Sequence, residues 1–164
     1  MIELKDNSPQ IAAAMERLAR ATEHTAPLMG VIAGIMHDEV EENFAQQGRP
    51  KWLGLKAPSP RRRGGKILQD SGQLAASIQQ GHDNQSAYVG TNKIYAAIHQ
   101  FGGTTKPHVI LPRYKKALKF GGRIVKSVNH PGSVIPARPF LAISSGGETK
   151  ILSAVSTYLS TAIR

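Results

Sequence analysis

The chain has no cysteine, so a disulfide framework, a thiolate zinc site, an iron–sulfur cluster and a cysteine nucleophile are all excluded. Aromatic residues are scarce, with one Trp, four Tyr and four Phe in 164 residues. A core drawn from the 40% of hydrophobic residues must therefore be mostly aliphatic and alanine-rich, yet it is large enough to exclude a wholly disordered tail. No apolar run approaches the roughly 18 residues of a membrane span. The start Met1-Ile2-Glu3-Leu4-Lys5-Asp6 lacks the basic-then-apolar order of a signal peptide. These absences predict a soluble protein that stays where it is made and has no membrane partner.

Acid is also missing, but only from part of the chain. Residues 1–48 carry Glu3, Asp6, Glu16, Glu23, Asp38, Glu39, Glu41 and Glu42 against Lys5, Arg17 and Arg20, a net charge of −5. After residue 48 only Asp70, Asp83 and Glu148 oppose 18 basic residues, so the overall +10 is the sum of a −5 segment and a +15 remainder. The chain is electrostatically two-faced and not merely basic.

What is present falls into four zones of a single domain spanning residues 1–164. Ser8-Pro9 is a helix start, because Ser caps free amides and Pro tolerates the first helical position. Ile11, Met15 and Leu18 follow at helical spacing. Thr25 can cap a second start at the Pro27 interruption, after which Met29, Ile32, Met36, Val40 and Phe44 form an apolar stripe. Asp38, Glu39, Glu41 and Glu42 read as its solvated face. Two helices over about 8–24 and 26–47, or one long helix kinked near Pro27, satisfy this pattern. Residues 48–66 are a Gly- and Pro-punctuated cationic loop with seven basic residues and no acid, pinned at its start by Trp52. Then come a strand at 74–78, turn formers at 81–84, a strand at 87–89 and a short helix from Lys93 to about Gln100 capped by Thr91-Asn92. A strand at 108–111 and a hairpin around Gly121-Gly122 follow. A C-terminal helix over 147–162 has Ile151, Leu152, Val155, Tyr158, Leu159 and Ile163 as its apolar face. The fold class is α+β: a small antiparallel or mixed sheet packed on the N-terminal and C-terminal helices.

Signals for chemistry are weak. No pair among the six histidines has metal-ligand spacing with a third ligand near it, and His37-Asp38-Glu39-Val40-Glu41 is not a His-Glu-x-x-His helix. The acids at 38–42 could bind a divalent cation in principle but more often form a solvated face. Gly65-Lys66 is followed by Ile67, so the phosphate loop is absent, and Gly-x-Ser-x-Gly does not occur. No enzyme and no cofactor are expected. The basic run Arg61-Arg62-Arg63 and the series Arg113, Lys115, Lys116, Lys119, Arg123 and Lys126 can contact phosphates, which makes non-specific nucleic-acid binding the rival from another class.

Four segments carry a resemblance. They are Trp52-Leu53-Gly54-Leu55; Ile67-Leu68-Gln69-Asp70-Ser71-Gly72-Gln73-Leu74 with Ala75-Ala76-Ser77-Ile78; Val89-Gly90-Thr91-Asn92-Lys93-Ile94-Tyr95-Ala96-Ala97-Ile98-His99-Gln100-Phe101-Gly102-Gly103; and His130-Pro131-Gly132 with Ile135-Pro136-Ala137-Arg138-Pro139-Phe140-Leu141. In order and spacing the chain resembles the tailed-bacteriophage virion morphogenesis family of Mu-like and tail-completion proteins, and is similar to the wider neck and tail-terminator group. The resemblance implies a non-enzymatic structural protein of the head–tail junction, assembled in the bacterial host cytoplasm. It implies a homo-oligomeric ring of six copies between a head connector or stopper and the tail tube, around the DNA channel. The residues themselves allow two readings. Tyr95, Ile98 and Phe101 suit core positions, while His99 and Gln100 suit bonds to the next loop. Arg138, anchored by Phe140, either caps carbonyls within one subunit or bonds across a ring interface. Candidate interface residues are Trp52, Arg61, Arg62, Arg63, Tyr95, His99, Gln100, Arg113, Lys115, Lys116, Arg138, Phe140, Asp38, Glu39, Glu41 and Glu42.

Overall fold

The structure, a computed structural model, describes residues 7–55, 65–114, 116–120 and 122–164. Arg61, Arg62, Arg63 and Lys115 lie outside the described residues. The fold is α+β, with four α-helices and small antiparallel sheets among the described residues. The chain forms two compact units, one of Met1–Lys93 with Phe140–Arg164 and the other of Ile94–Pro139.

In the first unit, Pro9 sits in the opening turn of α1 (Ser8–Glu23), and the chain restarts with Pro27 in the opening turn of α2 (Ala26–Gln46). Two helices therefore form, not one kinked helix. Thr25 occupies the cap position but makes no side-chain cap bond to α2. The cap comes from elsewhere. Asn84, in the turn of the β1 (Ile78–His82) and β2 (Ala87–Thr91) hairpin, accepts the Ala26 amide at 3.0 Å and donates to the Glu23 carbonyl at 2.6 Å. Its own carbonyl accepts the Thr25 hydroxyl. One side chain thus closes α1 and opens α2. Asp83 holds that turn by accepting the Gln85 and Ser86 amides at 2.7 Å and the Ser86 hydroxyl at 2.9 Å.

The predicted strand at 74–78 is corrected here. Ala75–Ser77 is a 3₁₀ turn, pairing begins at Ile78, and the turn lies at residues 83–86. Ser77 and Leu74 explain the shift, because the Ser77 hydroxyl and amide both return to the Leu74 carbonyl, at 2.7 and 3.1 Å. Such local side-chain bonds compete with an extended path.

α2 packs on the hairpin and on α4 (Ser145–Ile163), and α1 packs on α4. The core lies between them: Leu28, Ala33, Val40, Phe44, Trp52, Leu74, Ile78 and Phe140. Phe44 is its centre, with Trp52 edge-on at 5.9 Å and Phe140 tilted at 5.4 Å. Each aromatic pair contributes about 0.5–1.5 kcal/mol beyond its buried area. Gly48 makes the Trp52 position possible: its φ is +99°, and a Cβ there would fall 2.6 Å from Trp52 Cγ. α1 contributes no buried residue at all. Its expected apolar side chains are largely in solvent, with Ile11 55% and Met15 62% exposed. Besides Asn84 at its end, two side chains tie it to α4. Arg17 donates to the Ala162 and Ile163 carbonyls at the end of α4, and Tyr158 donates to the Ala21 and His24 carbonyls at the end of α1.

In the second unit, α3 (Ala96–Phe101) starts three residues later than expected. Thr91 accepts the Lys93 amide at 3.2 Å and so closes a turn ahead of the helix. After it run β3 (Gly103–Thr104), β4 (His108–Ile110), β5 (Leu118–Phe120), β6 (Arg123–Val125), β7 (Val128–His130) and β8 (Val134–Ile135). All pair antiparallel, β3 with β8, β4 with β7 and β5 with β6. The expected 117–128 hairpin is thus only the tip of a longer ribbon.

Candidate functional site

The first unit holds a buried charged cluster built on α2. Glu39 is 3% exposed, which corrects its assignment to the solvated face. It lies three residues after Met36 and four before Asn43, and so shares the inward side of the helix. Its carboxylate Oε2 accepts Arg49 Nη2 at 2.9 Å, the Ser144 amide at 3.1 Å and the Ser144 hydroxyl at 2.6 Å. Lys150 Nζ lies 3.5 Å from Oε1. Arg49 also donates to the Glu39 carbonyl and to Asn43 Oδ1, and Asn43 Nδ2 donates to the Phe140 and Ala142 carbonyls at 3.0 and 2.8 Å. Ser144 caps α4 by accepting the Gly147 amide at 3.1 Å.

Burial acts to raise the Glu39 pKa. The Ser144 donors, the Arg49 charge and Lys150 together outweigh it and hold the carboxyl below its ordinary 4.5. The cluster is saturated with protein partners, so its role is to lock α2, the turn after it and the start of α4 into one geometry. Asn43, Arg49, Ser144 and Lys150 were missed from the sequence. The helical wheel carried a signal for Glu39 and Asn43, hidden by the density of acids around them.

Asp38, Glu41 and Glu42 are exposed on α2, as expected. His37, Asp38 and Glu41 place one ligand atom each within 4.8 Å of one another, an arrangement common among exposed acids without any ion. Glu41 also borders a groove of about 350 Å³ formed with Phe44, Ala45, Gln69 and Ile78. Trp52 and Phe140 are core residues, 8% and 0% exposed, and present no surface.

In the second unit, Tyr95 packs edge-on to His99 at 6.1 Å. The His99 carbonyl accepts the Arg138 amide at 2.7 Å. Burial, and then the Arg138 charge, lower the His99 pKa, and among the described residues His99 Nδ1 has no hydrogen-bond partner. Arg138 itself is buried. Gln100 is half-buried, while Tyr95 and Phe101, expected inside, are 42% and 79% exposed, and Ile94 is 98% exposed. α3 buries Ala96 at its start and leaves Phe101 at its end in solvent. Arg113 and Lys116 are exposed on the ribbon, and the Arg113 guanidinium lies 5.5 Å from the Tyr114 ring centre. The unit has eight basic residues and no acid, and all eleven acids of the chain belong to the first unit. Among the described residues no helix is long and apolar enough to cross a membrane.

Comparison with known proteins gives this arrangement its context. The profile of the phage virion morphogenesis family matches residues 6–160. The chain belongs to that family. The "Mu-like prophage FluMu G protein 2" of Haemophilus influenzae is 42% identical over 165 residues, covering the whole of both chains. The "Putative capsid assembly protein G" of Escherichia phage Mu is 30% identical over 169 residues, covering 94% of this chain and 92% of that one. No solved structure matches. Membership of this family gives the protein a structural role in virion assembly.

Proposed function

We propose that this virion morphogenesis protein forms a homo-oligomeric ring, of six copies, at the head–tail junction, as a tail-completion, terminator or neck connector component. The ring joins the head connector to the tail tube and leaves a channel for DNA. One observation carries the reading: the chain's acids all lie in one compact unit while the other is wholly cationic. A ring closes through head-to-tail contacts, in which two different patches of one subunit must complement each other. The acid-free second unit and the acidic α2 face of the first unit, which is itself +2 overall with 13 basic against 11 acidic residues, are two such patches, and their opposite sign discourages like-with-like pairing. The relative named as a capsid assembly protein supports an assembly role of this kind.

Multi-angle light scattering and negative-stain microscopy test it. Rings are expected from the protein alone or on adding connector or tail tube. A strict monomer at high concentration in all three cases overturns it. A second reading, non-specific nucleic-acid binding, draws on the exposed cations and the Arg113–Tyr114 pair. It predicts duplex affinity that falls steeply with salt and is lost in an Arg61–Arg63→Ala variant that still assembles.

A further inference from the structure

The second unit contains one interrupted ribbon. The pairs Gly103↔Ile135, Thr104↔Val134, His108↔His130 and Ile110↔Val128 keep a single register, so β3–β8 and β4–β7 lie on one ladder. Beyond it the two sides are unequal. The ladder ends at Ile110↔Val128 and pairing resumes at Leu118↔Val125, so the first side has more residues between the two pairs than the second. Arg113, Tyr114 and Lys116 belong to that longer side and are exposed. Among the described residues this ribbon is paired only with itself, and its apolar side chains are in solvent: Val109, Leu111, Tyr114 and Ile124 are 57%, 66%, 88% and 79% exposed. Two-stranded ribbons are marginal in water, and open edges with exposed aliphatic residues invite a partner.

Charge and polarity identify that partner. The ribbon has no acid, so it suits an anionic surface. Phosphates would engage its cations but leave Val109, Leu111 and Ile124 uncovered, whereas a protein surface both acidic and grooved takes both kinds of side chain. The first unit has such a surface: Asp38, Glu41 and Glu42 are exposed on α2, and Glu41 borders the groove of Phe44, Ala45 and Ile78, which Lys66 also lines. Building on the ring reading above, we infer that the ribbon of one copy docks on the acidic α2 face and groove of the next copy. Because the two patches differ, the contact is heterologous and repeats around a ring.

Charge exchange tests this. Asp38→Lys/Glu41→Lys/Glu42→Lys and, separately, Lys116→Glu/Lys119→Glu/Arg123→Glu each weaken assembly at least tenfold in sedimentation velocity, with circular dichroism unchanged. Both sets in one chain restore it. The absence of native cysteine permits a second measurement. Ile124→Cys protein mixed with Ala45→Cys protein gives a crossed disulfide. If both charge variants assemble like the parent while the parent forms rings, this inference fails and the ring reading stands. If the parent forms no ring with connector and tail tube, both fail. If Ile124→Cys links only to itself, or if the ribbon variant assembles but loses a labelled DNA duplex in fluorescence polarisation, the ribbon serves another contact and the inference is overturned.

Discussion

Glu39 shows how much one side chain can organise. Its carboxylate collects donors from the turn after α2 and from the start of α4. Glu39→Gln removes the charge but leaves Arg49 and Lys150 beside the gap, a change expected to cost about 3 kcal/mol in urea unfolding. The pH dependence follows from the direction of its shift. Because the folded pKa is below 4.5, the stabilisation is present above pH 4.5 and is lost as pH falls through the folded value. In Glu39→Gln that part of the acid sensitivity disappears. His99 acts in the same sense at a higher window: its folded pKa lies below 6.5, so stability falls as pH drops below 6.5, and His99→Phe flattens that step. Gly147 is constrained by the same carboxylate, since a Cβ there would meet Glu39 Cδ at 2.6 Å, whereas one at Gly146 meets only Ser144 Oγ at 3.5 Å. Gly146→Ala should therefore be neutral or mildly stabilising, while Gly147→Ala should lose about 1–3 kcal/mol from overpacking.

At the scale of elements, the helices were legible because Ser8-Pro9, Pro27 and Gly48 punctuate long periodic stretches. Their inner faces were less so. The stripe through Met29, Ile32 and Met36 is only half-buried, while Glu39 and Asn43 are inside. Hydropathy ranks a carboxylate as solvent-facing, and Arg49 with the distant Ser144 and Lys150 makes its burial tolerable. The join between α1 and α2 has the same character. Thr25 suggested a cap, but Asn84, about 60 residues away, supplies it, and no local pattern encodes that contact. Asn84→Ala removes both the cap of α2 and the closure of α1, so a loss of about 1–2 kcal/mol is expected by thermal and urea melts. Among the candidate site residues, Trp52 and Phe140 turned inward with the core, and the exposed acids and ribbon cations stayed outside. Side chains that interact only with solvent or with another molecule are readable from composition; those with remote partners are not.

For the whole molecule, the separation of charge is the property that sequence alone revealed most directly, and the division into units redraws it: the −5 and +15 segments become a first unit of +2 that holds all eleven acids and a second unit of +8 that holds none. If opposite faces meet in the assembly, raising the salt from about 0.1 to 1 M shortens the Debye length from about 10 to 3 Å and weakens association, leaving an apolar remainder. Sedimentation at two salt concentrations measures that split. α1 has a different consequence. It buries no residue and is held to α4 by Arg17 and Tyr158. It is therefore the segment that should detach first, as a cooperative opening well below the global unfolding energy. In native-state hydrogen exchange its amides will lose protection together and ahead of α2, and Tyr158→Phe will lower that barrier without moving the exchange of the Phe44 core.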